Sequence, residues 1–279
     1  MKIGIIGLGL IGGSMAKAIK HYTEHTVLGM DLVERVVLKA KMLQVIDGEL
    51  SPETFQECQI LFVALYPQAT IDFIRDHGEW LRGTTVIDCS GVKRVVQEAV
   101  LPIAAEHGFT FIGGHPMAGI EYSGFEYSKI DLFEGAAMIL TPNPKVSPEV
   151  LDRLKSFFLS LGFGRIKIST PEEHDMVIAY TSQLAHVLSS AYVKSELAMK
   201  HLGFSAGSFK DMTRTALLNE TMWTELFIAN SENLAEEVEG LSHRLMQYAD
   251  AIRKQDGETL QELLRDGVQR KKYLMEREI

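Results

Sequence analysis

The 279-residue sequence predicts a doubly wound, mostly parallel α/β sheet followed by an all-helical C-terminal domain. Three observations predict it. Short β-branched runs alternate with helical patterns as far as residue 168, a glycine turn joins the first strand to the first helix, and no convincing strand follows Ser169. The strands are expected at residues 2–6, 26–30, 60–65, 84–88, 109–113, 136–140 and 165–168. Met1-Lys2 and the apolar run behind them superficially resemble a secretory signal. Glycines at turn positions and the lack of a small-residue cleavage site make the segment a first strand instead. The stretch from Thr141 to Pro148 holds three of the eight prolines and reads as a loop before one last helix and strand.

Thr170-Pro171-Glu172-Glu173 is a helix start, with Thr170 as N-cap, Pro171 at the first helical position and Glu173 closing a capping box. The boundary is therefore drawn between a dinucleotide domain, 1–169, and a helical domain, 170–279. A second long helix is expected from near Asn219, with Trp223, Leu226, Phe227, Asn230, Leu234, Val238, Leu241, Leu245, Tyr248 and Ile252 at three- and four-residue steps. At ~1.5 Å per residue it would run about 50 Å, longer than a domain of that size is wide, so its seam is expected to pack partly on another subunit. The alternative is a helix broken or kinked within its own chain, at Gly240.

Composition narrows the function classes. The apolar share of 46% and charged share of 23% are those of a globular protein, and no apolar stretch reaches the ~18 residues of a membrane span. A net charge of -9 argues against a nucleic-acid groove, whereas a small anionic substrate needs only one or two local cations. Cys58 and Cys89 fit no metal-ligand spacing and are too few for a disulfide framework, so no metal and a reducing cytoplasmic compartment are expected.

The cofactor reading rests on Gly7-Leu8-Gly9-Leu10-Ile11-Gly12, set between a strand and a helix. Gly7 permits the tight turn, Gly9 lets backbone approach a pyrophosphate, and Gly12 lets helix and strand pack closely, the fingerprint of a Rossmann-type dinucleotide site. Asp31 follows 19 residues after Gly12 at the end of the next strand, where a carboxylate accepts from both ribose hydroxyls and repels a 2′-phosphate. NAD is the expected cofactor, with Leu10, Ile11, Leu65 and Ser90 completing its site. Two alternatives stay open: Asp31 as a cap for a helix near Leu32, and Arg35 as the guanidinium that NADP sites use.

Ligands of doubly wound sheets bind beyond the carboxyl ends of the strands. Two segments fall there, Asp88-Cys89-Ser90-Gly91-Val92-Lys93 and Gly113-Gly114-His115-Pro116-Met117-Ala118-Gly119-Ile120-Glu121. His115, between a glycine and a proline, suits general-base work near neutral pH; a structural histidine is the equal alternative. Gly119 and Glu121 follow it as candidate substrate contacts.

Gly-His-Pro-Met-Ala-Gly at 114–119 with Ser123-Gly124 resembles the prephenate dehydrogenase family. So do Asp88 with Val92-Lys93, Ser182-Gln183-Leu184-Ala185-His186, and Phe209-Lys210-Asp211-Met212-Thr213-Arg214 with Trp223 and Asn230, a likeness running over residues 2–275. The resemblance implies a dimerising helical domain, a substrate site between the domains, and oxidative decarboxylation of a cyclohexadienol. It makes His115 the base on the ring hydroxyl, Arg214 the clamp on a substrate carboxylate, and His186 a contact at the substrate's other end. By residue pattern alone, Arg214 pairs equally well with Asp211, and His186 fits a solvent or dimer face. The sequence departs from the family where Gly91 stands in place of a serine that orients substrate and histidine; Ser90, one residue earlier, is the candidate for that catalytic part beside His115, and Ile120, Ala185 and Ser208 also differ.

Prephenate is the expected substrate, with arogenate as the alternative. A β-hydroxyacid dehydrogenase using Lys194 or Lys210 as its base is a weaker enzyme reading, and an NAD-binding regulatory protein without catalysis, with Gly91 as its scar, is the reading from another class.

Overall fold

A computed structural model describes residues 1–276. The chain divides into two compact units, one of residues 1–230 and one from Ser231 onward. In the first unit the order is β1 (Lys2–Ile6), α1 (Leu10–Tyr22), β2 (Thr26–Met30), α2 (Glu34–Met42), β3 (Gly48–Glu49), α3 (Pro52–Phe55), β4 (Ile60–Val63) and α4 (Pro67–His77). Then come β5 (Thr85–Asp88), α5 (Arg94–His107), β6 (Thr110–Pro116), β7 (Ala137–Pro142), α6 (Pro148–Ser160) and β8 (Arg165–Ile168). Helices α7 (Pro171–Ile178), α8 (Leu184–Tyr192), α9 (Gly207–Thr213) and α10 (Glu220–Ala229) complete it. The second unit holds α11 (Ser231–Arg253) and α12 (Gly257–Met275).

The strands form one sheet in the order β3-β2-β1-β4-β5-β6-β7-β8. All pairs are parallel except β6 with β7, which places His115 opposite Ile139. Alternation along the strands sends Ile3, Ile5, Phe62, Ile87 and Ile112 into the core under one face. Ile6, Leu61, Val63, Val86 and Phe111 enter the core under the other. Burial on both faces is why these strands read as nearly continuous apolar runs.

Every expected strand is present, and the described residues after β8 carry none. The expected start of α7 holds in part: Thr170 Oγ1 accepts from the Glu173 amide and Pro171 is the first helical residue, but the Glu173 carboxylate accepts the Ser169 hydroxyl at 2.5 Å rather than closing a capping box. Three other expectations need correction. The two-residue β3 was missed. The fifth expected strand runs on to Pro116, so His115 lies inside β6 rather than after it. The single helix over 219–252 is two helices, broken at Asn230 and not at Gly240: α10 ends at Ala229, Asn230 leaves helical conformation at φ −123° and ψ 31°, and α11 starts at Ser231. The cause is polar. The buried Asn230 amide donates to the Asp175 carbonyl and to Gln183 Oε1, both at 2.8 Å.

Between α7 and α8 the backbone takes one π-helical stretch, Ala179–Gln183, which shifts the phase of everything after it on this rod. Among the described residues no helix is long and apolar enough to cross a membrane.

Candidate active site

At the carboxyl ends of β1, β4, β5 and β6, beneath α8 and α10, lies a cavity of about 590 Å³. Its wall joins Gly9, Leu10 and Ile11 of the glycine turn, Leu65, Ser90 and Gly91, His115, Gly119 and Glu121, and His186, Arg214 and Leu226. Glu225 on α10 accepts the Gln68 amide at the start of α4 at 2.6 Å, which fixes α10 over this side of the sheet. The structure thus brings together the candidate substrate residues and five of the eight candidate cofactor residues.

Gly7, Gly12 and Asp31 stand behind that wall and shape it. Gly7 has φ of 85°, and a Cβ on Gly12 would lie 1.9 Å from the Gly7 carbonyl oxygen, so the turn closes only with glycine at both places. Asp31 accepts the Leu8 amide at 2.8 Å and the Val33 amide at 2.9 Å. It therefore ties the glycine turn to the end of β2, a wider role than the helix cap weighed for it.

At the end of β5 the buried Asp88 carboxylate receives the Lys93 ammonium, the Ser90 hydroxyl, and the Ser90 and Gly114 amides. Lys93 also donates to the Gly114 carbonyl at 2.6 Å. This knot locks β5 to β6 one residue before His115. It also engages Ser90, whose hydroxyl lies on Asp88 and within 3.1 Å of the Val92 carbonyl.

His115 is half-buried in the cavity wall. Its Nδ1 lies 2.9 Å from Nε2 of His174, and His174 Nδ1 lies 2.7 Å from Oδ1 of Asp175. Asp175 in turn accepts the Lys93 amide at 2.8 Å and the Arg94 amide at 2.9 Å, the first N–H groups of α5. Burial, the neighbouring His174 and the Lys93 charge push the His115 imidazole well below the ordinary histidine range. Burial lowers His174 too, partly offset by the carboxylate of Asp175. Nothing in the sequence pattern pointed to His174 or Asp175, because Glu172-Glu173-His174-Asp175 reads as the first turn of a capped helix.

Gly91, where the resemblance expects a serine, lies beside the imidazole. A Cβ at Gly91 would stand 4.0 Å from His115 Nε2 and 3.3 Å from Leu226 Cδ2, so Leu226 covers the glycine. Across the cavity, Arg214 faces Glu121 at 3.7 Å rather than forming the Asp211 pair weighed for it, and both are largely exposed. His186 Nδ1 lies 3.2 Å from the Thr215 carbonyl, and its ring sits 3.9 Å from that of Trp223. Burial lowers its pKa, against the carbonyl contact, and Arg214 lowers it further.

Two family models match the chain. The one described as prephenate dehydrogenase, nucleotide-binding domain covers residues 15–167, and the one described as prephenate dehydrogenase, dimerization domain covers residues 170–266. The prephenate dehydrogenase of Lactococcus lactis subsp. cremoris is 31% identical over 277 residues, 95% of this chain and 75% of that protein. Among solved structures, prephenate dehydrogenase from A. aeolicus, in complex with hydroxyphenyl propionate and NAD+, is 28% identical at a TM-score of 0.83, over 98% of each chain. Synechocystis arogenate dehydrogenase is 27% identical at a TM-score of 0.83, over 98% of this chain and 100% of that one.

Proposed function

The chain belongs to the prephenate dehydrogenase family, and on that premise we propose that it catalyses the NAD-dependent oxidative decarboxylation of prephenate to 4-hydroxyphenylpyruvate, a step of tyrosine biosynthesis. One observation carries the proposal: a half-buried imidazole, its pKa pushed down by burial, faces a cavity with the glycine turn on one side and a guanidinium on the other.

The residues present fit a dinucleotide. Helix α1 opens at Gly9 without a side-chain cap, and a Cβ added at Gly9 would meet nothing within 4 Å. Open space at a helix N-terminus is what a pyrophosphate needs. NAD, when bound, supplies the hydride acceptor. Gly9→Ala is therefore expected to leave the melting temperature unchanged while raising the KM for NAD about tenfold or more, some 1.4 kcal/mol of lost binding. An unchanged KM would remove Gly9 from the cofactor site. Asp31, at the end of β2, supports NAD over NADP.

His115 Nε2 takes the proton of the ring hydroxyl, so that negative charge on oxygen drives hydride from the same carbon. Loss of the ring carboxylate as carbon dioxide then returns an electron pair to the ring, and the oxygen recovers the proton. Arg214 holds a substrate carboxylate with its planar fork, and His186 and Gly119 line the remaining wall. Ser90 acts through the Asp88 knot, supporting the backbone beside the imidazole.

A second reading has its own observation. Arg214 beside Glu121 matches the carboxylate and ammonium of an amino acid, which makes arogenate the alternative substrate. Steady-state comparison of prephenate and arogenate with NAD and NADP, followed by nicotinamide absorbance, decides between them. No turnover of either acid would favour the non-catalytic regulatory reading.

The division at 169/170 is supported by the seam between the two family models, and a homodimer by the description of the second. Apolar side chains exposed on α11 and α12, among them Leu245, Ile252, Leu264 and Val268, agree with a face that a second copy covers. Light scattering that returned the mass of a single 31.1 kDa chain would sink the dimer. Two buried free cysteines support a reducing, cytoplasmic setting, which fractionation of cells making the protein tests.

A further inference from the structure

We propose that His174 and Asp175 are positioning residues that fix the tautomer and direction of His115, so that its Nε2 is presented to the cavity as a lone pair. The inference rests on the reading of His115 as the base and adds two residues to it.

The argument is one of donors and acceptors. Asp175 accepts two main-chain N–H groups at the start of α5, at 2.8 and 2.9 Å. A carboxylate accepts only, so the His174 Nδ1 at 2.7 Å from it must carry the proton. A neutral imidazole has one N–H, which leaves His174 Nε2 as an acceptor. His115 Nδ1, 2.9 Å away, must then be the donor, and its own Nε2 is left bare. Each step is forced by the one before. When His115 takes a proton, the new positive charge points through His174 to the carboxylate.

Both residues are almost wholly buried, at 2% and 0% exposure, so water does not substitute for either bond. The chain is also held at its far end. Asn230 donates to the Asp175 carbonyl at 2.8 Å, fixing the backbone from which the carboxylate extends. The charged and titratable groups around the imidazole are His174 and Asp175 from α7, Asp88 from β5, and Lys93 at the start of α5. No serine stands at position 91 to share the task.

The test compares His174→Leu, which removes the acceptor, with His174→Gln, whose carboxamide oxygen can accept from His115 Nδ1. Expected for His174→Leu is a fall in kcat of about 10- to 100-fold, with NAD affinity unchanged and the acid limb of the pH profile displaced. His174→Gln is expected to recover most of that loss. Nitrogen-15 NMR of the imidazoles in the unaltered chain reads the tautomer directly and is expected to find His115 protonated at Nδ1. Protonation at Nε2, a wild-type kcat in His174→Leu, or equal impairment of the two variants would overturn the proposal. If His174→Leu fails to fold, the tautomer and the glutamine variant decide. Should the chain turn over neither acid, the functional reading fails, while the NMR result still judges the relay.

Discussion

Replacing His115 by Asn is expected to lower kcat by two or more orders of magnitude while NAD binds as before. That loss corresponds to about 2.7 kcal/mol of barrier. The asparagine amide can still reach His174, so the variant deletes the base while leaving its surroundings in place. The pH profile of the unaltered protein carries the same claim. The working form is the neutral imidazole, and burial first, then His174 and Lys93, hold its pKa well below the ordinary ~6.5. Acidification therefore removes activity only as pH falls through that lowered value, and kcat/KM is expected to stay level through pH 6.5. Retained turnover in His115→Asn, or an acid limb above pH 6.5, would take His115 out of the mechanism.

The second large effect is on stability. Lys93→Met leaves the Asp88 carboxylate buried without its counter-ion, since neither side chain of that pair is exposed. Removing one partner of such a pair costs about 3–5 kcal/mol, which in a chain of this size lowers the melting temperature by on the order of 10 °C. The remaining Ser90 and Gly114 bonds to Asp88 do not replace the charge. A double variant, Lys93→Met with Asp88→Asn, is expected to regain part of the loss, because it no longer strands a carboxylate. A thermal melt of Lys93→Met within 2–3 °C of the parent, on the scale of ~1 kcal/mol, would show that the pair contributes little.

Most of the sheet was legible because strands buried on both faces announce themselves as β-branched runs, and the glycine turn because close approach admits no other residue. The end of β6 was not, since Gly113-Gly114 reads as punctuation. In the fold those glycines allow close packing: a Cβ on Gly114 would lie 2.5 Å from the Asp88 carbonyl oxygen. Asn230 was misread for a different reason. It falls in phase with the apolar seam, and only its two distant acceptors reveal why the helix stops there. The π turn is invisible to a 3.6-residue period.

Site residues split the same way. Position near a strand end points to His115 and Glu121 as candidates, and resemblance points to Arg214 and His186. The His174–Asp175 pair lies 59 residues from the imidazole it touches and hides in an ordinary helix start. Ser90 lines the cavity, but its hydroxyl is turned onto the Asp88 carboxylate, a direction that no local pattern signals.

Because Asp175 lies in the stretch matched by the second family model and grips α5 in the stretch matched by the first, the proposed base and its proposed alignment come from different family segments of the chain. A fragment ending at 169 would keep the imidazole and lose its compass. Grafting the helical half of a relative onto this sheet would likewise bring along a foreign steering element, and the chimera's rate would report on that match before it reported on substrate choice.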